Sequence, residues 1–191
     1  MNGKYKNQYR IESHRLKGYD YSQIGAYFIT LCTKNHICYF GSIDSEYLLP
    51  HPEEQPIINF TDIGNKARDE WLKTPSVRSD MNIELDEFVI MPNHIHAILI
   101  ICQNENSKAE VVTEHCVSRF GLQSKNLASI VRGFKSSVTS YTRKSNLPFE
   151  WQRNYYDRVI RDEKEINRIR EYIYNNPKIW QLDKYYKENP S

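Results

Sequence analysis

Apolar residues run almost without a break through FVIMPNHIHAILII, residues 88–101. HIHAILII (94–101) reads as a strand, joined to a second strand, NIELDEFVI (82–90), at Met91, Pro92 and Asn93. Proline fixes φ and removes a ladder donor, so the pattern predicts a hairpin rather than one long central strand. GAYFITLCT (25–33) is rich in β-branched and aromatic residues and predicts another buried strand. CYFGSI (38–43) is expected to pair with it across the short polar connection 34–37, and an acidic loop bearing Pro50, Pro52 and Pro56 follows.

Three segments repeat with the helical period instead. Thr61 is a candidate N-cap ahead of DIGNKARDEWLK, whose buried stripe is Ile63, Ala67 and Trp71, with Leu72 beside it, and Pro75 is expected to close this helix. SKNLASIVRGFKSSVTSYTRKSN (124–146) repeats Leu127, Ile130 or Val131, Phe134, Val138 and Tyr141, which predicts an amphipathic basic helix. Asp162 is a candidate N-cap of EKEINRIREYIYNNP, with Glu165 three residues on in a capping-box-like pattern and Ile166, Ile169 and Ile173 as the buried stripe. Pro177 disfavours helical geometry at Asn176. Residues 102–123 are polar and aperiodic and read as an exposed loop.

Length and composition narrow the class. A chain of 191 residues predicts one domain that buries about 70% of its unfolded surface. Cys32, Cys38, Cys102 and Cys116 form no C-x-x-C pair, which fits reduced thiols and disfavours a zinc site through cysteine. No apolar segment reaches the roughly eighteen residues of a membrane span, and the start lacks the apolar core of a signal peptide, so a cytoplasmic location is expected.

The formal net charge of +2 averages segments of opposite sign. Arg10, Arg15 and Lys17 stand in a basic start, Arg132 and Lys135 in a basic helix, and the acids of 42–62 lie between. Such separation suits a polyanion on one side of the molecule, although a solvated helix face and a loose terminus would give the same charges.

The candidate chemistry starts from His94 and His96. In a strand, residues two apart project to the same side, so two imidazoles can share one metal ion or one phosphate. The bland alternative is a pair satisfied by local hydrogen bonds at a strand end. On the last helix Tyr172 and Asn176 are four residues apart and share a face, from which Tyr174 is turned away by about 200°. A phenol needs help to act as a nucleophile, because its pKa is about 10. Two imidazoles and an amide oxygen could hold a divalent ion that polarises a phosphoryl oxygen, so the physical reading is metal-assisted phosphodiester transfer to a tyrosine. Tyr155, Tyr156 and Tyr174 are rival nucleophiles, and His14, His36, His51 and His115 read as ordinary surface residues.

ELDEFVIMPNHIHAILII together with WQRNYYDRVIRDEKEINRIREYIYNNP closely resembles the REP-associated tyrosine transposases, an IS200-like branch of the HUH single-strand endonucleases. RLKGYDYSQIGAYFITLCTKN is similar to the family's opening, so the resemblance spans most of residues 10–182 of one domain, 1–191. It implies a ferredoxin-like α+β fold, an antiparallel sheet with the histidine strand near its centre and helices packed against it. It further implies that His94 and His96 bind a divalent metal, Mg²⁺ or Mn²⁺, that Tyr172 is the nucleophile, and that Asn176 completes the metal site. Trp151, Arg153 and Tyr156 are family-like, with a packing role as the alternative reading.

By that resemblance Tyr172 attacks a phosphate of single-stranded DNA, leaving a 5′-phosphotyrosine and a 3′-hydroxyl, on a substrate with a REP-like hairpin. Arg10, Arg15, Lys17, Arg132 and Lys135 are the implied DNA contacts. Relatives occur as monomers and as homodimers that exchange the tyrosine helix. Two other functions share these residues, a non-catalytic DNA-hairpin-binding protein and an HUH replication initiator or relaxase.

Overall fold

The computed structural model describes residues 4–5, 8–9, 19–43, 55–102 and 125–187. Lys4–Tyr5 (β1) and Gln8–Tyr9 (β2) form a short antiparallel pair. The main sheet is built from Gly25–Cys32 (β3), Ile83–Ile90 (β6), His94–Ile101 (β7) and Tyr156–Ile160 (β8), in the order β6-β7-β3-β8, with every pairing antiparallel. Gly41–Ile43 (β4) and Ile58–Phe60 (β5) make a separate two-stranded ribbon. The helices are Asp62–Leu72 (α1), the short Thr74–Val77 (α2), Leu127–Lys144 (α3) and Glu163–Asn175 (α4). Chain order β3-α1-β6-β7-α3-β8 on that strand order is a ferredoxin-like α+β fold.

The sheet is covered on both faces, which explains the unbroken apolar run of β7. Tyr27, Ile29 and Leu31 of β3 and Ile95, Ala97 and Leu99 of β7 face α1 and α3, where Trp71, Leu127, Ile130, Phe134 and Val138 complete the larger core. Phe28, Ile98 and Ile160 point to the other face and meet Ile169 and Ile173 of α4. A strand buried on both faces has no reason to alternate apolar with polar. On its α4 side, β7 departs from apolar residues only at His94 and His96, which are buried.

Local signals account for the helix starts. Thr61 accepts from Gly64 N–H, Asn126 from Ser129 N–H and Asp162 from Glu165 N–H. Glu165 reaches back one residue further than a capping box requires, to Arg161 N–H at 2.9 Å. Pro75, expected to close α1, instead opens α2, where its missing N–H costs nothing, and α1 ends at Leu72 with Lys73 as its cap. In the α3 stripe Tyr141 is only half-buried, and Thr142 takes the buried position.

The expected pairing of CYFGSI with the first strand does not occur. Both edges of β3 are occupied by β7 and β8, so β4 pairs with β5 instead. The chain leaves the sheet through a turn in which Asn35 and His36 both have positive φ, 55° and 54°. Among the described residues no helix is long and apolar enough to cross a membrane.

Candidate active site

Alternation along β7 sends His94 and His96 to the α4 side of the sheet, with ring centroids 4.5 Å apart. The hairpin turn holds the first of them. Met91 N–H donates to His94 O, and Asn93 Oδ1 lies 2.9 Å from His94 Nδ1. Asn93 is itself buried, and its Nδ2 donates to the carbonyls of His36 (3.0 Å) and Tyr185 (2.7 Å). Nε2 of His94 has no hydrogen-bond partner although it is buried. His96 is held across the ladder by Thr30, whose Oγ1 is 2.8 Å from Nδ1, while Phe28 stacks on its ring.

α4 brings the other half of the site. Its apolar stripe docks on the sheet, and Arg170 fastens it to β6 by donating from Nε to Asp86 at 2.9 Å. Tyr172 Oη then lies 3.1 Å from His96 Nε2 within one chain. Asn176 stands one turn further along and is fully buried; its Nδ2 donates to Asp183 Oδ2 at 3.2 Å, and its Oδ1 has no partner. The expectation that Pro177 would take Asn176 out of helical geometry fails. Asn176 keeps φ −56° and ψ −42°, because the chain continues into the 3₁₀ turn Pro177–Leu182 with proline in its first turn. That continuity keeps Asn176 on the Tyr172 face.

Electrostatics set the protonation states. Burial drives His94 down to about 3, helped by the nearby positive charge of His36, with the Asn176 amide opposing weakly. Burial, then His94, lowers His96 well below the ordinary value. Both rings are neutral near pH 7, the form that ligates metal. Tyr172 is pushed the other way, up to about 12, by burial and then by the negative charge of Asp183.

Two participants escaped the sequence reading. Asp183 lies with His94 and His96 so that one ligand atom from each falls within 4.8 Å of the others. Tyr185 lays its ring 4.8 Å from His94 and stacks on His36 at 5.1 Å. Neither shows periodicity, because both follow the 3₁₀ turn that folds the chain back over the sheet. His36, read as an ordinary surface residue, is half-buried at this site and accepts the Asn93 hydrogen bond. Its left-handed backbone, invisible in the sequence, turns it there. His14, His51 and His115 lie outside the described residues, as do Arg10, Arg15, Lys17 and residues 103–124.

Of the rival tyrosines, Tyr174 is exposed beneath Lys178, Tyr155 packs against the α1/α3 core, and Tyr156 meets Phe28 edge-on. Trp151 packs among Phe40, Phe134 and Phe149. Arg132 and Lys135 lie on α3, which covers the opposite face of the sheet from the imidazoles, and line a groove of about 850 Å³.

The mixed nitrogen and oxygen donor set suits a divalent cation. Two neutral imidazoles and a carboxylate converge, with an orphaned buried amide oxygen alongside, and such an ion would relieve both unpartnered atoms. A ferredoxin-like domain with a histidine pair on its central hairpin and a tyrosine on the helix behind it is the class that fold and site define. A solved REP-associated tyrosine transposase bound to a REP hairpin shares this fold, with a TM-score of 0.51 over 87% of this chain and 73% of that one, at 19% identity. An uncharacterized protein of Haemophilus influenzae is 40% identical over 177 residues, 91% of this chain and 92% of its own length. A second protein of that organism, provisionally named a REP-associated tyrosine transposase, is 30% identical over 88 residues, 46% of each chain. No family model matches the chain. The chain is similar to a REP-associated tyrosine transposase in sequence over 46% of its length, and shares the fold of another over most of it.

Proposed function

We propose that the protein is a metal-dependent endonuclease and strand transferase acting on single-stranded or hairpin DNA through a 5′-phosphotyrosine at Tyr172. The observation that carries this reading is the 3.1 Å approach of Tyr172 Oη to His96 Nε2, beside an unpartnered His94 Nε2 and a carboxylate. His94, His96 and Asp183 would hold Mg²⁺ or Mn²⁺, with Asn176 Oδ1 beside them. When bound, the ion supplies positive charge that polarises a phosphoryl oxygen and favours phenolate.

Tyr172 has to lose a proton to react. At a pKa of about 12 only about one phenol in 10⁵ is ionised at pH 7. In the transfer the Oη–P bond forms, the bond from phosphorus to the 3′ oxygen breaks, and that oxygen leaves as a 3′-hydroxyl. Reverse attack by a 3′-hydroxyl restores the phosphodiester, so no nucleoside triphosphate is needed. Asn93 and Thr30 orient the two imidazoles from behind, and α4 presents Tyr172 to them. Arg132 and Lys135 supply backbone contacts, and the work is done in the cytoplasm on REP-like elements.

Incubation with a 3′-labelled hairpin carrying single-stranded flanks and Mn²⁺ tests this. The wild type should form a protein–DNA adduct resistant to denaturation, and Tyr172→Phe should form none while binding the hairpin within about twofold. An adduct that survives in Tyr172→Phe sinks the assignment of the nucleophile. Binding without an adduct in the wild type favours a hairpin-binding protein that does no chemistry.

A further inference from the structure

The two histidines of the pair are held in different ways. His94 is set by an amide whose own orientation is fixed. Asn93 Nδ2 donates to two carbonyls, those of His36 and Tyr185, so Oδ1 is the atom turned to His94 Nδ1 at 2.9 Å. An amide oxygen only accepts, so Nδ1 of His94 carries the proton and Nε2 keeps its lone pair. That nitrogen is buried and has no hydrogen-bond partner.

His96 has both nitrogens engaged. Thr30 Oγ1 meets Nδ1 at 2.8 Å, and Tyr172 Oη meets Nε2 at 3.1 Å. Both partners are hydroxyls, which donate or accept, so in either tautomer the Nε2 position is taken by the phenol. A ring nitrogen directs its lone pair or its proton along one line in the ring plane, and a bond to a cation needs the line that Tyr172 uses. Nδ1 offers no substitute, because it faces Thr30 across the β3–β7 ladder.

Of the two partners at Nε2, the phenol is the one free to move. His96 is buried, with Phe28 stacked on its ring. Tyr172 is 37% exposed and packs edge-on against Phe28 and His96. Rotation about its own side-chain bonds can carry Oη away from the imidazole while Arg170 and the isoleucine stripe keep α4 docked.

We propose that Tyr172 is a lock on the metal site. Its hydroxyl holds Nε2 of His96, and a divalent cation that engages His94 and Asp183 has to displace it to gain the second imidazole. Loading the ion and freeing the nucleophile are then one event. The proposal rests on the reading above in taking an ion at the histidine pair. By linkage, a phenol that must be displaced lowers the apparent affinity for the ion.

Titration calorimetry with Mn²⁺, without DNA, compares the wild type, Tyr172→Phe and Tyr174→Phe. The net worth of one hydrogen bond corresponds to about fivefold in a binding constant, so Tyr172→Phe should bind Mn²⁺ about fivefold more tightly than the wild type. Tyr174→Phe should bind as the wild type does, since Tyr174 is exposed beneath Lys178. Equal affinity in Tyr172→Phe, or no binding to either protein, overturns the proposal. Weaker binding overturns it too, by making the phenol a ligand of the ion and not its competitor. If circular dichroism shows that Tyr172→Phe does not fold, a crystal structure of the wild type with Mn²⁺ decides. Tyr172 Oη should then lie beyond hydrogen-bond distance of His96 Nε2, and an unchanged contact overturns the lock. A wild type that forms the DNA adduct while the two affinities are equal sinks the lock alone. Tighter binding by Tyr172→Phe with no adduct in the wild type sinks the nuclease reading alone.

Discussion

The hydroxyl of Thr30 lies 2.8 Å from Nδ1 of His96, directly opposite it across the β3–β7 ladder. That contact fixes the ring and leaves Nε2 aimed at Tyr172. Partners behind a ligating histidine are worth about 10- to 100-fold in metal affinity or activity. Thr30→Val keeps the shape of the side chain and removes the hydroxyl. Titration calorimetry with Mn²⁺ should show an affinity loss in that range at unchanged secondary structure. Equal affinity in the two proteins would mean that His96 does not hold the ion.

Asp183 and Asn176 both stand beside the imidazoles, and either would be the third ligand of the proposed ion. A carboxylate brings a full charge to a hard cation and an amide only a dipole, so the two replacements should differ in size. Asp183→Asn is expected to lower Mn²⁺ affinity by at least about tenfold, and Asn176→Ala by less. Beyond burial, the Asp183 charge holds the Tyr172 phenol up, so in metal-free Asp183→Asn the titration step that Tyr172→Phe removes should move to lower pH than in the wild type. A reversed order of the two metal affinities would return the third ligand to Asn176.

Asn93 ties three segments together through His36 O, Tyr185 O and His94 Nδ1. Asn93→Ala leaves those groups buried without their partner, at a cost of about 2–4 kcal/mol. For a chain of this size that corresponds to a drop in Tm on the order of 10 °C. Differential scanning calorimetry checks it, and a shift of only a degree or two would show that the turn is held by other contacts.

The same residues mark how far the sequence could be read. The histidine hairpin was legible because a proline sits between two apolar runs, and α4 because Asp162 caps a regular isoleucine stripe. Placing Tyr172 with Asn176 needed only the helical period. β8 was not legible, since Tyr156–Ile160 is a short fourth strand whose pairing to β3 is set by the rest of the sheet. Nor were Asp183, Tyr185 and His36, which reach the site through a 3₁₀ turn and two left-handed residues rather than through any repeat. Tertiary return of the chain leaves no period in the sequence, so site residues of this kind need coordinates.

Arg170 and Asp86 supply the last prediction, because they clamp the Tyr172 helix to the sheet. Asp86 lies where the β6–β7 register shifts, between Leu85 and Phe88, and Arg170 stands two residues before Tyr172. The guanidinium grips the carboxylate through two nitrogens and holds its pKa below the ordinary value. A carboxyl with a depressed folded pKa adds stability that is full above the unfolded value of about 3.9 and is lost as pH falls through the folded one. Since the Arg170 side chain is 42% exposed, water screens the pair to about 0.5–1 kcal/mol. Asp86→Asn should therefore lower Tm by roughly 1–4 °C at pH 7, and the gap from the wild type should close as pH approaches 3. Loosening the clamp should also cost strand-transfer rate more than DNA affinity, since the helix that carries Tyr172 loses its outer anchor while the α3 groove is untouched. A Tm gap that persists unchanged at pH 3, or grows, would show that Asp86 stabilises the fold through something other than its charge.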